Sequence, residues 1–136
     1  MALSAQDALI HLMVITASSD TGIISSGELS RIDDLIGRSP VFADYERSRL
    51  TEVANACIDQ INGATGLEGA LDAAVAALPT RLHDTGYALA VEVAVVELEL
   101  PQEELRLLEM IRDRLAVDRL VTAAIEAAAR ARLRKA

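Results

Sequence analysis

The chain has 136 residues, which is enough for one domain with a single hydrophobic core. It carries 13 Lys and Arg against 21 Asp and Glu, and the resulting net charge of −8 argues against a nucleic-acid partner, because phosphate binding needs a basic face. Hydrophobic residues make up 51% of the chain, yet there is one Phe, two Tyr and no Trp. We therefore expect a core of Ala, Leu, Val and Ile.

Membrane and redox classes are not favoured by the sequence. The longest apolar run, residues 87–96, is interrupted by Glu92 and falls short of the roughly 20 residues that span a bilayer. The segment from Met1 to Asp7 lacks the basic stretch that opens a signal peptide, so we expect a soluble, cytoplasmic protein. Cys57 is the one cysteine, which excludes an intramolecular disulfide, and its apolar neighbours predict a buried side chain.

Helical periodicity runs through nearly the whole chain, without sustained apolar and polar alternation, and predicts an all-α fold. The first helix is expected from Ser4, a good N-cap, to about Ser19. The second opens at Ser25 with a capping box that pairs Ser25 with Glu28, and Gly37 and Pro40 end it.

The middle of the chain predicts two further helices. The third is expected from about Asp44 to Gln60, where Asn62 and Gly63 end it. The pair Thr65 and Glu68 has the spacing of a second capping box, which predicts a short helix that ends at about Leu78.

Three more helices complete the prediction. A short turn over residues 80–83 leads into the fifth helix, which includes residues 88–95, and the sixth runs from Pro101 to about Leu115. Asp118 caps the seventh, which ends in a group of basic residues: Arg130, Arg132, Arg134 and Lys135. These cations complement the dipole of a helix C-terminus. No linker divides the chain, so residues 1–136 are expected to form one domain of about seven helices.

Two parts of the chain resemble each other. Residues 4–37 align with residues 84–115. Before the helix corner the aligned positions differ by 77, so that Leu12 aligns with Leu89. After the corner they differ by 76, so that Glu28 aligns with Glu104. Two units are too few for a solenoid, which needs about three or more. The match predicts an internal pseudo-two-fold repeat within one bundle.

Each repeated corner carries two acidic residues that could converge across a short loop. They are Asp20 and Glu28 at the first corner, and Glu97 and Glu104 at the second. Carboxylates and loop carbonyls are hard oxygen ligands that suit Ca²⁺, Mg²⁺ or Mn²⁺. The corners therefore form a candidate site for a divalent metal.

Helix-end stabilisation explains the same glutamates without a ligand. Glu28 is the partner of Ser25 in a capping box, and acidic residues in a first turn are favoured by the helix dipole. If Pro101 is the N-cap of the sixth helix, it has no N–H for Glu104 to accept from. If Leu100 is the cap, Pro101 takes the first helical position and Glu103 the capping-box position. Both interpretations stay open.

The sequence does not favour an enzyme. His11 and His83 share no motif with each other, with Cys57 or with a serine in a nucleophile elbow, and no glycine-rich phosphate loop is present. The acidic pairs on the helices are adjacent residues that point in different directions. We therefore expect a non-enzymatic protein.

The segments 9–20 and 24–32 together resemble the first half of a TerB-like (tellurite resistance protein TerB) domain, and the segments 87–94 and 103–109 resemble its second half. The resemblance covers nearly the whole chain. It implies an all-helical domain of about seven helices with a pseudo-two-fold repeat, of a kind found in bacterial tellurite-resistance and stress-response systems. It also implies acidic corner residues that have been proposed to bind divalent metal.

Carried over to this chain, the family's corner positions fall on Asp20, Glu28, Glu97 and Glu104. The chain departs from the family pattern in two places, because its first corner is one residue longer, around residues 21–22, and its second corner has Glu97 where aspartate is expected. Both departures move the carboxylates and put metal binding in doubt.

The functional expectation is a non-enzymatic TerB-like domain of the tellurite-resistance and stress-response type. It would bind a divalent cation (Ca²⁺, Mg²⁺, Mn²⁺ or Zn²⁺) or a protein partner through its acidic corners. The alternative is a purely structural protein-interaction module, including a homodimer, that has no metal site.

Overall fold

The computed structural model describes residues 3–19, 21–95 and 102–136, and its secondary structure in these ranges is entirely helical. The seven α-helices are α1 (Ala5–Ala17), α2 (Ser26–Arg38), α3 (Leu50–Ile61), α4 (Gly66–Ala77), α5 (His83–Ala94), α6 (Gln102–Leu115) and α7 (Arg119–Leu133). Short 3-10 turns precede α3 and α5. The all-α bundle of seven helices is confirmed. None of the helices in these ranges combines the length and the apolar character needed to cross a membrane.

Helix α1 forms the centre of the bundle. Every residue from Asp7 to Ser18 is buried, and the helix contacts α2, α3, α4, α5 and α6. Its sequence is apolar on nearly all sides, which is the pattern of a helix surrounded by other helices. Helices α2 to α6 surround this central helix, and α7 packs against α5.

Helix α5 packs against α1 on one side and against α6 and α7 on the other. At Gly86 an added Cβ would lie 2.9 Å from Leu12 Cδ1 and 3.3 Å from Leu78 Cδ1. The absence of a side chain at this position therefore permits the close approach of α5 to α1. This packing places the other side of α5 opposite α6 and α7, where a cleft lies.

Local cap signals predicted three helix starts correctly. The side chain of Ser4 accepts from the N–H of Asp7, and that of Asp118 accepts from the N–H of Leu120. The capping box at Ser25 is formed in both directions. These hydrogen bonds join residues two or three positions apart, so they can be predicted from the local sequence.

The predicted start of α3 is wrong by about six residues. Asp44 has a φ of 65°, in the left-handed region, so a right-handed helix cannot continue through it. The chain instead makes 3-10 turns over residues 40–42 and 47–49, and α3 begins at Leu50.

The predicted capping box at Thr65 is also wrong. Thr65 has helical backbone angles of φ −87° and ψ −12°, whereas a capping residue needs extended ones, and its side chain makes no capping hydrogen bond. Glu68 pairs instead with Arg114 of α6, at 3.2 Å. Leu100 and Pro101, the two candidate caps of α6, lie outside the described residues. The internal repeat and the extent of the domain stay predictions.

Candidate functional site

In the described part of the first corner, two side chains donate hydrogen bonds to backbone carbonyls. Helix α1 ends where the Ser18 hydroxyl donates to the carbonyl of Val14, at 2.8 Å. Gly22 adopts a φ of 70°, which reverses the chain, and Asn62 Nδ2 at the end of α3 donates to its carbonyl at 3.2 Å. Ile23 follows with 64% of its surface exposed. The corner is thus tied to α3, with an exposed apolar tip.

Glu28 has a structural role at this corner. Its Oε1 accepts from the N–H of Ser25 at 2.9 Å, and the Ser25 hydroxyl accepts from the N–H of Glu28 at 3.1 Å. The reciprocal pair satisfies two N–H groups that the first turn of α2 would otherwise leave without a partner. One carboxylate oxygen of Glu28 is therefore committed to folding. Asp20, its predicted partner in a metal site, lies outside the described residues.

The second corner is described only on its α6 side. Glu104 lies half-buried in the first turn of α6, and Glu97 lies outside the described residues. Across residues 3–19, 21–95 and 102–136, no three His, Cys, Asp or Glu side chains are grouped closely enough to hold a metal ion. The geometry of these ranges therefore brings no complete ligand set together, and the four-carboxylate site stays a prediction.

A cleft of about 220 Å³ lies between α5, α6 and α7, beside the first turn of α6. Its lining residues are Tyr87, Val91, Val95, Leu105, Leu108, Glu109, Arg112, Glu126 and Arg130. Val91, Val95, Leu105 and Leu108 supply the aliphatic part of the lining, and Leu105 has 43% of its surface exposed. The size suits one or two side chains of a partner, since pockets for whole drug-sized ligands span about 300–1,000 Å³.

A hydrogen-bonded pair forms the floor of this cleft. Tyr87 is 1% exposed, and its hydroxyl donates to Glu126 Oε2 at 2.6 Å. Arg112 Nη1 lies 3.8 Å from the same oxygen. Burial first, and then the bond to Glu126, raise the pKa of Tyr87, so that its phenol stays a neutral donor. The pair fixes α5 against α7 and gives the cleft a rigid polar floor.

The lining of the cleft includes two further charged residues, one on α6 and one on α7. Glu109 on α6 and Arg130 on α7 both line the opening. Neither forms a hydrogen bond or an ion pair with the residues that the structure describes. An apolar side chain in the cleft would thus lie between one available acid and one available base. Sequence reasoning missed this site, since its residues come from three helices.

His11 and Cys57 meet at the contact between α1 and α3, but not in a catalytic arrangement. Cys57 Sγ lies 3.8 Å from the backbone carbonyl of His11, not from its ring. Burial raises the pKa of the Cys57 thiol to about 12. Burial also lowers the pKa of His11, and the nearby charge of Asp7 offsets only part of that shift. Both groups are therefore neutral parts of the core.

A second polar group that sequence reasoning missed joins the start of α1 to the turn before α3. The buried carboxylate of Asp7 accepts from the Tyr45 hydroxyl at 2.9 Å and from Arg49 Nη2 at 3.0 Å. The guanidinium of Arg49 also lies over the Tyr45 ring, 5.7 Å from its centroid. All three side chains satisfy one another, which makes this group a structural tie.

Comparison with protein-family models, with curated proteins and with solved structures finds no match to this chain. The TerB-like resemblance therefore rests on the residues quoted above. The candidate functional site rests on geometry, and its best-formed part is the cleft between α5, α6 and α7.

Proposed function

We propose that the chain is a non-enzymatic TerB-like binding domain of the tellurite-resistance and stress-response type, which binds a protein partner at its second acidic corner. The cleft between α5, α6 and α7 would receive an apolar side chain of that partner. Glu104 and the two rim residues, Glu109 and Arg130, would contact polar groups around it.

One observation carries this proposal. The cleft combines aliphatic lining residues, among them a partly exposed Leu105, with rim charges that the described part of the protein leaves unpaired. Apolar anchors surrounded by polar contacts are typical of the energetic centre of protein interfaces. The groups usual in catalysis are used otherwise, since Cys57 lies in the core and both ring nitrogens of His83 face backbone carbonyls.

Site-specific photocrosslinking tests the partner. A photoreactive residue in place of Leu105 is expected to capture one defined protein, whereas the same residue at Thr51, exposed on α3, is expected to capture none. Capture should fall in the variants Glu104→Ala and Arg130→Glu. Capture at Leu105 that is unchanged in both variants would refute the proposed site.

A divalent cation at the second corner is tested separately by calorimetric titration with Ca²⁺, Mg²⁺, Mn²⁺ or Zn²⁺. If the cation binds at the second corner, Glu104→Ala should weaken any saturable binding more than Glu28→Ala, a change at the first corner, does. Heat that does not saturate, or a binding curve that neither variant alters, would remove the cation from the proposal.

A structural interaction module without a metal site is the second candidate, because many of the described acids already have structural partners. Glu28 caps α2, Asp33 pairs with Arg47 at 2.8 Å, and Asp72 pairs with Arg114 at 2.8 Å. This candidate predicts that Glu28→Ala lowers stability equally with and without metal. The proposed binding domain predicts that Glu104→Ala weakens the binding of metal or partner.

A further inference from the structure

Helix α7 is apolar on the side that faces solvent. Leu120 is 81% exposed and Val121 is 39% exposed. Four exposed residues of α7 share one face of the helix: Leu120, Ala124, Ala127 and Ala131. They are spaced four, three and four positions apart, which is the spacing of a single helix face. The helix contacts the bundle through its opposite face, where Thr122 and Ala129 are buried. The outward stripe extends over about 17 Å and has no charged residue along its centre.

Charge is divided unequally between this helix and the rest of the chain. Residues 119–136 contain five Arg and Lys and one Glu, a net charge of +4, whereas residues 1–118 contain eight Arg and 20 Asp and Glu, a net charge of −12. Arg130 lies at one edge of the outward stripe, and Arg134 is the C-cap residue just beyond the end of the stripe. The apolar face is thus flanked by positive charge on an otherwise acidic protein.

From these two observations we propose that the outward face of α7 is a docking surface for an acidic amphipathic helix of a partner protein. The alanines allow the partner backbone to approach closely, as small residues do in helix pairs. Leu120 supplies the one large apolar contact, and glutamates or aspartates on the edge of the partner helix would pair with Arg130 and Arg134.

Other occupants fit this face less well. An anionic bilayer would repel the net charge of −12 on the rest of the chain, and the face has no Trp or Phe to enter the lipid interface. A symmetric contact with the α7 of a second copy would bring two helices of net charge +4 together. An acidic helix is the occupant whose charge complements the edge of the stripe.

This surface and the cleft meet at Arg130, which lines the cleft and also borders the stripe, but the cleft itself lies between α7, α5 and α6. The proposal therefore stands whether or not the cleft binds a partner. Leu105→Glu alters only the cleft, and Leu120→Glu alters only the outward face. Each variant reports on one surface, so the two proposals can fail independently.

Binding of synthetic peptides tests the docking surface. The probe is a fluorescent 18-residue helix with a Leu and Ala face and Glu along both edges, and its twin has Lys in place of each Glu. The full chain is expected to bind the acidic peptide saturably, with an affinity about tenfold or more above that for the twin. Added salt should weaken this binding, since exposed charges are screened.

Variants complete the experiment. Leu120→Glu and Ala127→Glu should each weaken binding of the acidic peptide about tenfold, and Arg130→Glu combined with Arg134→Glu should abolish its preference over the twin. Both Glu substitutions are compatible with an exposed helix, and circular dichroism checks that each variant is folded. Ile23→Glu, which adds the same charge at an exposed apolar residue on the first corner, should leave binding unchanged.

Three results would overturn the proposal. The first is equal or absent binding of the two peptides. The second is self-association in sedimentation experiments that Leu120→Glu abolishes, which would assign the face to a second copy. The third is α7-dependent binding to vesicles that contain phosphatidylserine, without binding of the acidic peptide.

Discussion

Tyr87 and Glu126 are 39 positions apart in the chain, and their side chains form a 2.6 Å hydrogen bond at the floor of the cleft between α5, α6 and α7. The bond is short because the acceptor is a carboxylate, and it links α5 to α7. Tyr87 is almost fully buried, whereas the side chain of Glu126 is 30% exposed. The phenol thus reaches from the core to a carboxylate at the surface, and it sets the position of α7.

Tyr87→Phe should lower the free energy of unfolding by about 1 kcal/mol, because the lost bond has a charged acceptor that water can partly replace. Urea denaturation followed by circular dichroism measures the change. The matched control repeats the substitution in a Glu126→Ala background, where the bond is already absent and the loss should be much smaller. Equal losses in the two backgrounds would show that the bond does not stabilise the fold.

Ionisation of the tyrosines should require alkaline conditions that ordinary tyrosine does not. Burial, followed by the bond to Asp7, raises the pKa of Tyr45 to about 12, and the pKa of Tyr87 is raised as well. The pKa of each tyrosine is thus higher in the folded protein than its value of about 10 in the unfolded chain. The contribution of each neutral phenol to the stability of the fold is therefore complete below about pH 10 and is lost as the pH rises through the folded-state pKa.

Ultraviolet titration of tyrosinate measures this directly, since the chain has two Tyr and no Trp. The native protein should ionise at a higher pH than the same protein in concentrated urea. Coincident titration curves for the native and denatured protein would contradict the predicted burial of both phenols.

The thiol of Cys57 should be unreactive in the native protein. It is buried, and burial raises its pKa to about 12, so that almost no thiolate is present at pH 8. Labelling with a disulfide reagent should proceed at the rate of protein opening and become rapid in urea, which serves as the control. Immediate and complete labelling of the native protein would place Cys57 at the surface instead.

The sequence predicted those features whose causes are local. Helical periodicity located the helices, and the caps at Ser4, Ser25 and Asp118 join residues only two or three positions apart. Thr65 shows the limit of the same rule, because capping needs an extended backbone as well as a suitable residue. The residue types alone do not carry that information.

Features that depend on distant contacts were not predictable from one sequence. The break at Asp44 lies next to Tyr45, which is held by Asp7, 38 positions away. The cleft likewise unites side chains from three helices. Periodicity indicates that α7 has apolar residues, but not that Leu120 faces solvent. In each case the outcome depends on which helices become neighbours, which no local pattern specifies.

The capping box at Ser25 should contribute measurably to the free energy of unfolding, whereas Thr65, which forms no capping bond, should not. Ser25→Ala removes the acceptor for the Glu28 N–H and should cost about 1 kcal/mol of stability. Thr65→Ala removes no capping bond and should cost less than about 0.5 kcal/mol. Thermal or urea denaturation of both variants gives the comparison, with Ser26→Ala, on the exposed first turn of α2, as the control. Equal losses at Ser25 and Thr65 would contradict the observed caps.

His83 should stabilise the fold by joining the ends of two helices. Its Nδ1 lies 2.8 Å from the carbonyl of Leu115 at the end of α6, and its Nε2 lies 3.1 Å from that of Leu78 at the end of α4. Carbonyl oxygens only accept, so each contact is a hydrogen bond when the ring nitrogen that faces the carbonyl carries a proton.

His83→Ala should therefore lower the free energy of unfolding by about 1–3 kcal/mol, since the ring N–H no longer donates to a helix-end carbonyl. His83→Gln should recover part of the loss, because its amide can still donate to one of the two carbonyls. Thr80→Ala, on the exposed turn before α5, is the control and should change stability by less than about 0.5 kcal/mol. Urea denaturation at constant pH provides all three values. If Ala and Gln at position 83 prove equally stable, the hydrogen bonds contribute nothing, and the ring acts only through packing.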